Sequence, residues 1–472
     1  METLNAGQQA AFNAIMEGKS IFLTGPGGTG KSFLIKEVYD KLSSPSHSVG
    51  LTAMTGCAAL LLHTKAKTLH SWSGIGLGTD VVPLLVGKIK KSRRALLRWM
   101  KTDTLVIDEV SMMTPEIFEK LEEVARKVRR DERPFGGLQL IMVGDFFQLP
   151  PVSKGEETKF VFESPLWTSM GLTTHALTEI VRQKNPEFQA ILNEARTGTL
   201  TKASLKVLRR RMDLDYKSLE IQPSMLFTRR GEVDSINATH LKKLQTEKKT
   251  YKATTIFNPI TQTHGLAKTS PEVEAAVQAL DKVASYSVEL TLAVGAQVML
   301  LTNMTNGLVN GSRGKVMGFE RPPVKEAEEG DLSGAKVPAK EAKHSDVLFP
   351  LVKFKGGSTQ LIQFHDWELQ EFPGVKRQQI PLKLAYAITI HKAQGATLDC
   401  ALIDVGGRTF EYGQAYTALS RVKDMESLYI HDLAAEAFKA HPKVVAFYAS
   451  QTASQTASQT SQTSQNPEAT HS

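Results

Sequence analysis

The chain has 472 residues, enough for about three domains of ordinary size. Its 57 Lys and Arg against 49 Asp and Glu leave a net charge of +8, which permits a polyanionic partner without requiring one. A hydrophobic share of 41% excludes a chain disordered throughout, no apolar run reaches the roughly 18 residues of a membrane helix, and two cysteines, Cys57 and Cys400, exclude a disulfide framework.

The N-terminus, Met1-Glu2-Thr3-Leu4-Asn5, has neither a basic start nor an apolar run, so no signal or transit peptide is expected. Strands and helices then alternate. Ser20 to Leu23 is a short apolar strand running into glycines, and Ser32 to Leu42 has helical spacing through Phe33, Ile35 and Val38. Val49 to Met54, Thr104 to Ile107 and Leu138 to Val143 read as further strands. Before the last of these lies a helix that Thr114 can cap, with Pro115 in its first turn and Ile117, Leu121, Val124 and Val128 in one stripe. This alternation predicts an α/β fold with a parallel sheet covered on both faces.

The same pattern returns later, with strands at Ser224 to Phe227, Ala401 to Val405 and Ser427 to Ile430, and helices at Ala385 to Lys392 and Glu411 to Val422. The expected organisation is a first α/β domain over 1–184 with a small insertion near 73–90, and a second assembled from 185–245 and 380–448. Between them, 246–379 is a β-rich insertion: Thr291 to Phe319 is strand-like, and Arg321 to Asp346 is a polar loop. Ser-Gln-Thr repeats without apolar residues predict a disordered tail over 449–472.

Gly25-Pro26-Gly27-Gly28-Thr29-Gly30-Lys31-Ser32 fits the pattern G-x-x-x-x-G-K-S/T between a strand and a helix. Such a loop wraps phosphates with backbone N–H groups at a helix N-terminus. Lys31 can reach the β- and γ-phosphates of ATP, and Ser32 can hold Mg²⁺. Asp108-Glu109 ends an apolar strand, where a carboxylate pair can serve the same site: Asp108 on the metal, Glu109 on the attacking water. Gly144-Asp145-Phe146-Phe147-Gln148-Leu149-Pro150-Pro151 follows another strand. Gln148 is a candidate γ-phosphate contact, and an ordinary proline-stopped turn is the alternative.

Taken in order, these motifs resemble superfamily 1 helicases, and most closely the Pif (petite integration frequency) DNA helicases, relatives of RecD and phage Dda. The likeness runs from Leu4 to about Tyr448. Leu4 and Gln8 resemble an adenine-reading element. Thr55-Gly56-Cys57-Ala58-Ala59 and Leu69-His70-Ser71-Trp72 resemble two elements that touch single-stranded DNA. Asp108-Glu109-Val110-Ser111-Met112 resembles the second motif. Leu121 to Leu140, with Pro134-Phe135-Gly136-Gly137, resembles the stretch that separates Pif helicases from their cousins. Arg182 in Val181-Arg182-Gln183 and Arg421 in Tyr416-Thr417-Ala418-Leu419-Ser420-Arg421 resemble arginines that reach the γ-phosphate. Ile390-His391-Lys392-Ala393-Gln394-Gly395 resembles the fifth motif, where His391 and Lys392 meet DNA and Gly395 the nucleotide. Trp72 stands where relatives often carry Phe.

The resemblance implies two RecA-like domains with small insertions and ATP-driven 5′-to-3′ unwinding in replication, repair, recombination or telomere maintenance. It implies single-stranded and tailed duplex DNA as partners, a monomer, no membrane, and action in nucleus or mitochondrion, or in the host cell for a viral chain. The DNA track would use Thr55, Gly56, His70, Ser71, Trp72, His391 and Lys392, because hydroxyls, backbone amides, Lys and aromatic faces hold a strand without reading its sequence. A nucleotide-gated DNA-remodelling ATPase that does not unwind fits the same residues. A small-molecule kinase does not, given the second α/β layer and two distal arginines. The seven basic residues between Lys88 and Lys101 are either an electrostatic footprint for nucleic acid or a solvated helix face.

Overall fold

The computed structural model describes all residues except 1–2, 64, 77, 153–156, 258–269, 305–307, 323–346, 356, 370–371, 373, 408 and 464–472. Most of the polar loop expected over 321–346 and the end of the tail therefore lie outside the described residues. The chain divides into two compact units, Met1–Leu214 with Ile390–Thr397 and Leu402–Ser472, and Asp215–Thr389 with Leu398–Ala401.

The first unit is built on six parallel strands: β1 (Ile21–Thr24), β2 (Val49–Ala53), β3 (Lys67–Thr68), β4 (Thr104–Asp108), β5 (Gln139–Val143) and β6 (Thr173–Ala176). They lie in the order β3-β2-β4-β5-β1-β6. β1 pairs with β5 (Ile21 opposite Ile141) and with β6, and β4 with β2 and β5. Every residue of β1 and β4 is buried, as strands covered on both faces must be. Helices α1 (Ala6–Met16) and α2 (Lys31–Leu42) contribute Ala11, Ile15, Leu34, Ile35 and Val38 to the core with Leu23, Val106 and Val143. In such sheets ligands bind beyond the C-terminal strand ends, and β1 and β4 place the phosphate loop and the Asp108-Glu109 pair there.

Four more helices follow: α3 (Gly56–Leu62), α4 (Leu69–Ser73), α5 (Val82–Lys91) and α6 (Arg93–Lys101). α7 (Pro115–Arg129) is capped by Thr114 as its sequence predicts, with Phe118, Leu121, Val124, Ala125 and Val128 buried. Phe135 holds a left-handed backbone (φ 51°) and packs its ring on Phe118 at 5.3 Å. Arg129 is the staple of this region, donating to the carbonyls of Trp99, Thr102 and Gly136.

The second unit is mainly antiparallel. Gln297–Leu300, Arg313–Glu320, Phe349–Phe354, Thr359–Leu361 and Leu382–Leu384 form a five-stranded sheet over Val298, Leu300, Val316, Val352 and Phe354. The β-rich reading of Thr291 to Phe319 agrees with these strands. Ser224–Phe227 pairs in parallel with Ala387–Thr389.

Two helices expected from the sequence come out differently. Ala385 to Lys392 is a strand over Ala387–Thr389, and only Ile390–Ala393 is helical. The pairing with Ser224–Phe227 overrides the local pattern. Glu411 to Val422 narrows to Gln414–Leu419, entered through Gly413 at φ 68°. The C-terminal helix Pro442–Thr463 also continues into the Ser-Gln-Thr repeats, part of the stretch where the composition predicts disorder. Its first turns are anchored, with Phe447 stacked 4.4 Å from Phe162 and Tyr448 5.0 Å from Phe147, and Ala and Gln are residues a nucleated helix accepts. Among the described residues no helix is long and apolar enough to cross a membrane.

Candidate active site

The phosphate loop leaves β1 and closes on α2, whose N-cap is Gly30 in the left-handed region (φ 82°). Gly28, also left-handed, runs so close to its neighbours that a Cβ there would lie 2.8 Å from the Cβ of Arg182. Gln8 braces the loop from below: its amide donates to the Thr29 carbonyl (3.1 Å), and its oxygen accepts from the Asn5 N–H. Lys31 is turned into the loop and donates to the carbonyls of Gly25 (2.6 Å) and Pro26 (2.9 Å). Burial lowers its pKa, against the opposing pull of Asp145, Glu109 and Asp108. Ser32 is exposed at the same end of α2.

Asp108 is buried, and its carboxylate accepts from the Glu109 N–H (2.8 Å). Burial, and then the charge of Glu109, push its pKa up to about 7. A buried carboxylate raised by its neighbour is a place that favours a cation, so the donor set suits a divalent metal. Glu109 holds a left-handed backbone (φ 58°), rare for a side-chain-bearing residue. Its Oε2 accepts from the Nε2 of Gln394 at 2.9 Å.

Two guanidiniums converge on the loop. Arg421 is 2% exposed and donates to the Gln148 amide oxygen (3.3 Å), the Ser420 hydroxyl and the Thr417 carbonyl. A Cβ on Gly27 would lie 3.2 Å from its Nη2. Arg182 donates to the Ser420 carbonyl (2.9 Å), while its own N–H and that of Val181 bond the Gly28 carbonyl. Burial, and then the charge of Arg421, lower the Arg182 pKa to about 9. Burial likewise lowers that of Arg421, which Glu109 partly offsets. Two buried cations that disfavour one another form a pocket that an anion would stabilise. The structure thus brings Lys31, Asp108, Glu109, Gln148, Arg182 and Arg421 together.

Sequence reasoning missed the frame behind them. Asp145 is fully buried and held by Arg196 (2.8 Å). Burial alone would raise its pKa, but the charge and hydrogen bonds of Arg196 bring it below the ordinary value. Tyr416 accepts from the Gly27 N–H (2.8 Å) and donates to Asp145 (3.4 Å). Tyr448 bonds the Phe146 N–H and the Thr24 hydroxyl. Asp145 and Tyr416 lie inside quoted motifs. Nothing local marks Arg196, whose partner is 51 positions away.

The candidate DNA contacts divide. Thr55 caps α3 by accepting from the Ala58 N–H, and Gly56 opens that helix. Ser71 is exposed, and burial lowers the pKa of half-buried His70. Trp72 corrects the sequence expectation: it is 4% exposed, with its ring 4.8 Å from Trp99, so no face remains for a base. His391 is half-buried and Lys392 exposed on the turn Ile390–Ala393, and Gly395 follows at φ 77°. In the basic segment Arg98 braces α4 by donating to the Trp72 carbonyl (2.7 Å). Lys88 pairs with Asp80 (2.6 Å), and Lys90, Lys91, Arg93, Arg94 and Lys101 are exposed.

A family profile described as PIF1-like helicase matches residues 3–205, and one described as the 2B domain of DNA helicase Pif1 matches 282–319. The chain is 38% identical over 478 residues to the ATP-dependent DNA helicase PIF1 of Emericella nidulans, covering 93% of this chain and 62% of that protein. It thus spans less than two thirds of the length of that relative, and 64% of the human one. The crystal structure of Pif1 helicase from Candida albicans is similar at 35% identity and TM-score 0.74, over 96% of this chain and 100% of that one. That of Bacteroides Pif1 in complex with ADP-AlF3 and single-stranded DNA is similar at 28% identity and TM-score 0.65, over 96% and 98%. With the phosphate loop, the carboxylate pair and the two arginines in the motif order that first suggested it, the chain belongs to the Pif1-like helicase family.

Proposed function

We propose that this protein is an ATP-driven DNA helicase that moves 5′-to-3′ on single-stranded DNA and opens duplex ahead of it. The observation that carries the reading is the meeting of Arg182 and Arg421 beside Gly27, Gly28 and Gln148. ATP supplies the anion this pocket favours. Lys31 exchanges its carbonyl partners for the β- and γ-phosphates, and the glycine N–H groups hold the phosphate oxygens. Glu109 orients the attacking water and takes its proton. Arg421 and Arg182 stabilise the charge that builds on the γ-phosphoryl group, and Gln148 positions Arg421 against it. Ser32 and Asp108 would hold Mg²⁺, which supplies charge neutralisation between the phosphates. Gln8, bonded to Thr29, would set the adenine end.

Thr55, Gly56, His70, Ser71, His391 and Lys392 form the proposed DNA track, and the likeness to a Pif1 complexed with single-stranded DNA supports DNA as the partner. Under this reading the protein is a monomer acting in the nucleus or mitochondrion, or in the host cell if the chain is viral. The test is strand displacement on duplexes with a 5′ or a 3′ single-stranded tail. Wild type should open the 5′-tailed duplex with ATP, and Lys31→Ala should open neither. DNA-stimulated turnover without displacement on either substrate would instead leave a remodelling ATPase.

A further inference from the structure

Gln394 lies inside the fifth motif, where the sequence assigns it no role of its own, and it touches the hydrolytic carboxylate. Its Nε2 lies 2.9 Å from Glu109 Oε2. A carboxylate only accepts, so the nitrogen must face Glu109, which aims the Gln394 oxygen elsewhere. That oxygen is buried and has no hydrogen-bond partner among the described protein atoms, in a side chain 1% exposed. Glu109 carries strain of its own at φ 58°. The unpaired buried acceptor and the left-handed backbone each carry a free-energy cost, and one hydrogen bond joins the two residues that bear them.

The elements around that hydrogen bond give it a trigger. Gln394 directly follows the single helical turn Ile390–Ala393, which carries half-buried His391 and exposed Lys392. Gly395 comes next at φ 77°, and a Cβ there would meet Leu61 of α3 at 3.2 Å and Glu109 Oε1 at 4.0 Å. The turn is therefore wedged between the helix capped by Thr55 and the hydrolytic carboxylate, with glycine as its pivot.

We propose that Gln394 is a positioning residue that restrains Glu109, and that single-stranded DNA held at Lys392 and Thr55 shifts the turn, frees the carboxylate and so accelerates ATP hydrolysis. In the restrained state the amide on Oε2 fixes the orientation of the Glu109 carboxylate. In the released state Oε2 accepts from the attacking water, and the Gln394 oxygen gains a donor. The inference rests on the motor reading above and adds how DNA reports to the ATP site.

The experiment compares steady-state ATP turnover of the full chain with and without saturating oligo-dT, for wild type, Gln394→Ala and Gln394→Asn. Thermal unfolding establishes that each variant is folded, and Gln394→Asn, which stays polar but reaches less far, carries the test if the alanine variant does not fold. Removing the restraint should raise DNA-free turnover about fivefold or more, within the usual range of coupling between sites. The ratio of DNA-stimulated to DNA-free rate should fall by a similar factor, with KM for ATP little changed. A merely structural role would scale both rates together, so an unchanged ratio, or DNA-free turnover that falls, overturns the inference while leaving the motor reading intact. Wild-type turnover that oligo-dT does not stimulate overturns both.

Discussion

Arg421 is a long charged side chain at 2% exposure, a placement that needs partners fixed in advance. It has them in Gln148, Ser420 and Thr417, all of which accept its protons without cancelling its charge. The guanidinium is thus oriented and still positive, suited to charge that grows only during phosphoryl transfer. Arg421→Ala should lower ATP turnover by about 10³-fold or more and nucleotide affinity far less. Steady-state kinetics with equilibrium nucleotide binding separates the two, and equal losses would argue for a packing role. The Asp145–Arg196 pair makes a second prediction. Asp145 titrates below its ordinary value, so its contribution is fully present above about pH 4 and is lost as the pH falls through its lowered native pKa. Asp145→Asn leaves Arg196 buried without its charge partner and should cost about 3–5 kcal/mol at neutral pH. Unfolding midpoints measured against pH should show the gap between wild type and variant narrowing below about pH 4. A gap constant down to strongly acidic pH would mean that the carboxylate charge is not what stabilises the pair. Lys31, Asp108, Glu109 and Arg421 were legible because each sits in a motif with a phosphate-chemistry rationale. Arg196 was not, since its partner Asp145 lies 51 positions away, and Gln394, though inside the fifth motif, carries no local sign of its bond to Glu109, 285 positions away.

At the scale of elements, α4, α6 and α7 are locked by one residue from each. Trp72 and Trp99 meet edge to face, Trp99 Nε1 donates to the Ser73 carbonyl (2.8 Å), and Arg129 ties the end of α6 to α7. Trp99 is fully buried, so Trp99→Ala should cost about 3–5 kcal/mol of stability, read in denaturant unfolding. A loss under about 1 kcal/mol would mean the site collapses around the deletion. Trp72 shows why an aromatic in a DNA-binding motif can mislead. Its sequence context is that of a stacking platform, but the residue is 4% exposed and its ring packs 4.8 Å from that of Trp99, 27 positions on. The segment Ala385 to Lys392 makes the same point for backbone. Its local spacing suits a helix, yet Ala387–Thr389 becomes a strand because Ser224–Phe227 offers an unfilled parallel ladder. The cap at Thr114, by contrast, was readable, because capping involves only neighbours: Thr114 accepts from the Ile117 N–H, three residues on.

Across the whole molecule, the sequence by itself determined the parallel α/β core, the phosphate loop, the carboxylate pair and the motif order that identifies the family. These follow from short-range rules, in which alternating periodicity sets the strands and glycine, lysine and carboxylate spacing sets the chemistry. Only the tertiary structure decided which polar groups meet: that two arginines converge beside Gly27 and Gly28, that Asp145 and Tyr416 frame the loop, that Trp72 is sealed in the core, and that Gln394 holds Glu109. Those outcomes depend on which distant surfaces pack together, and on the requirement that every buried charge find a partner. No spacing within a single stretch of chain encodes either one.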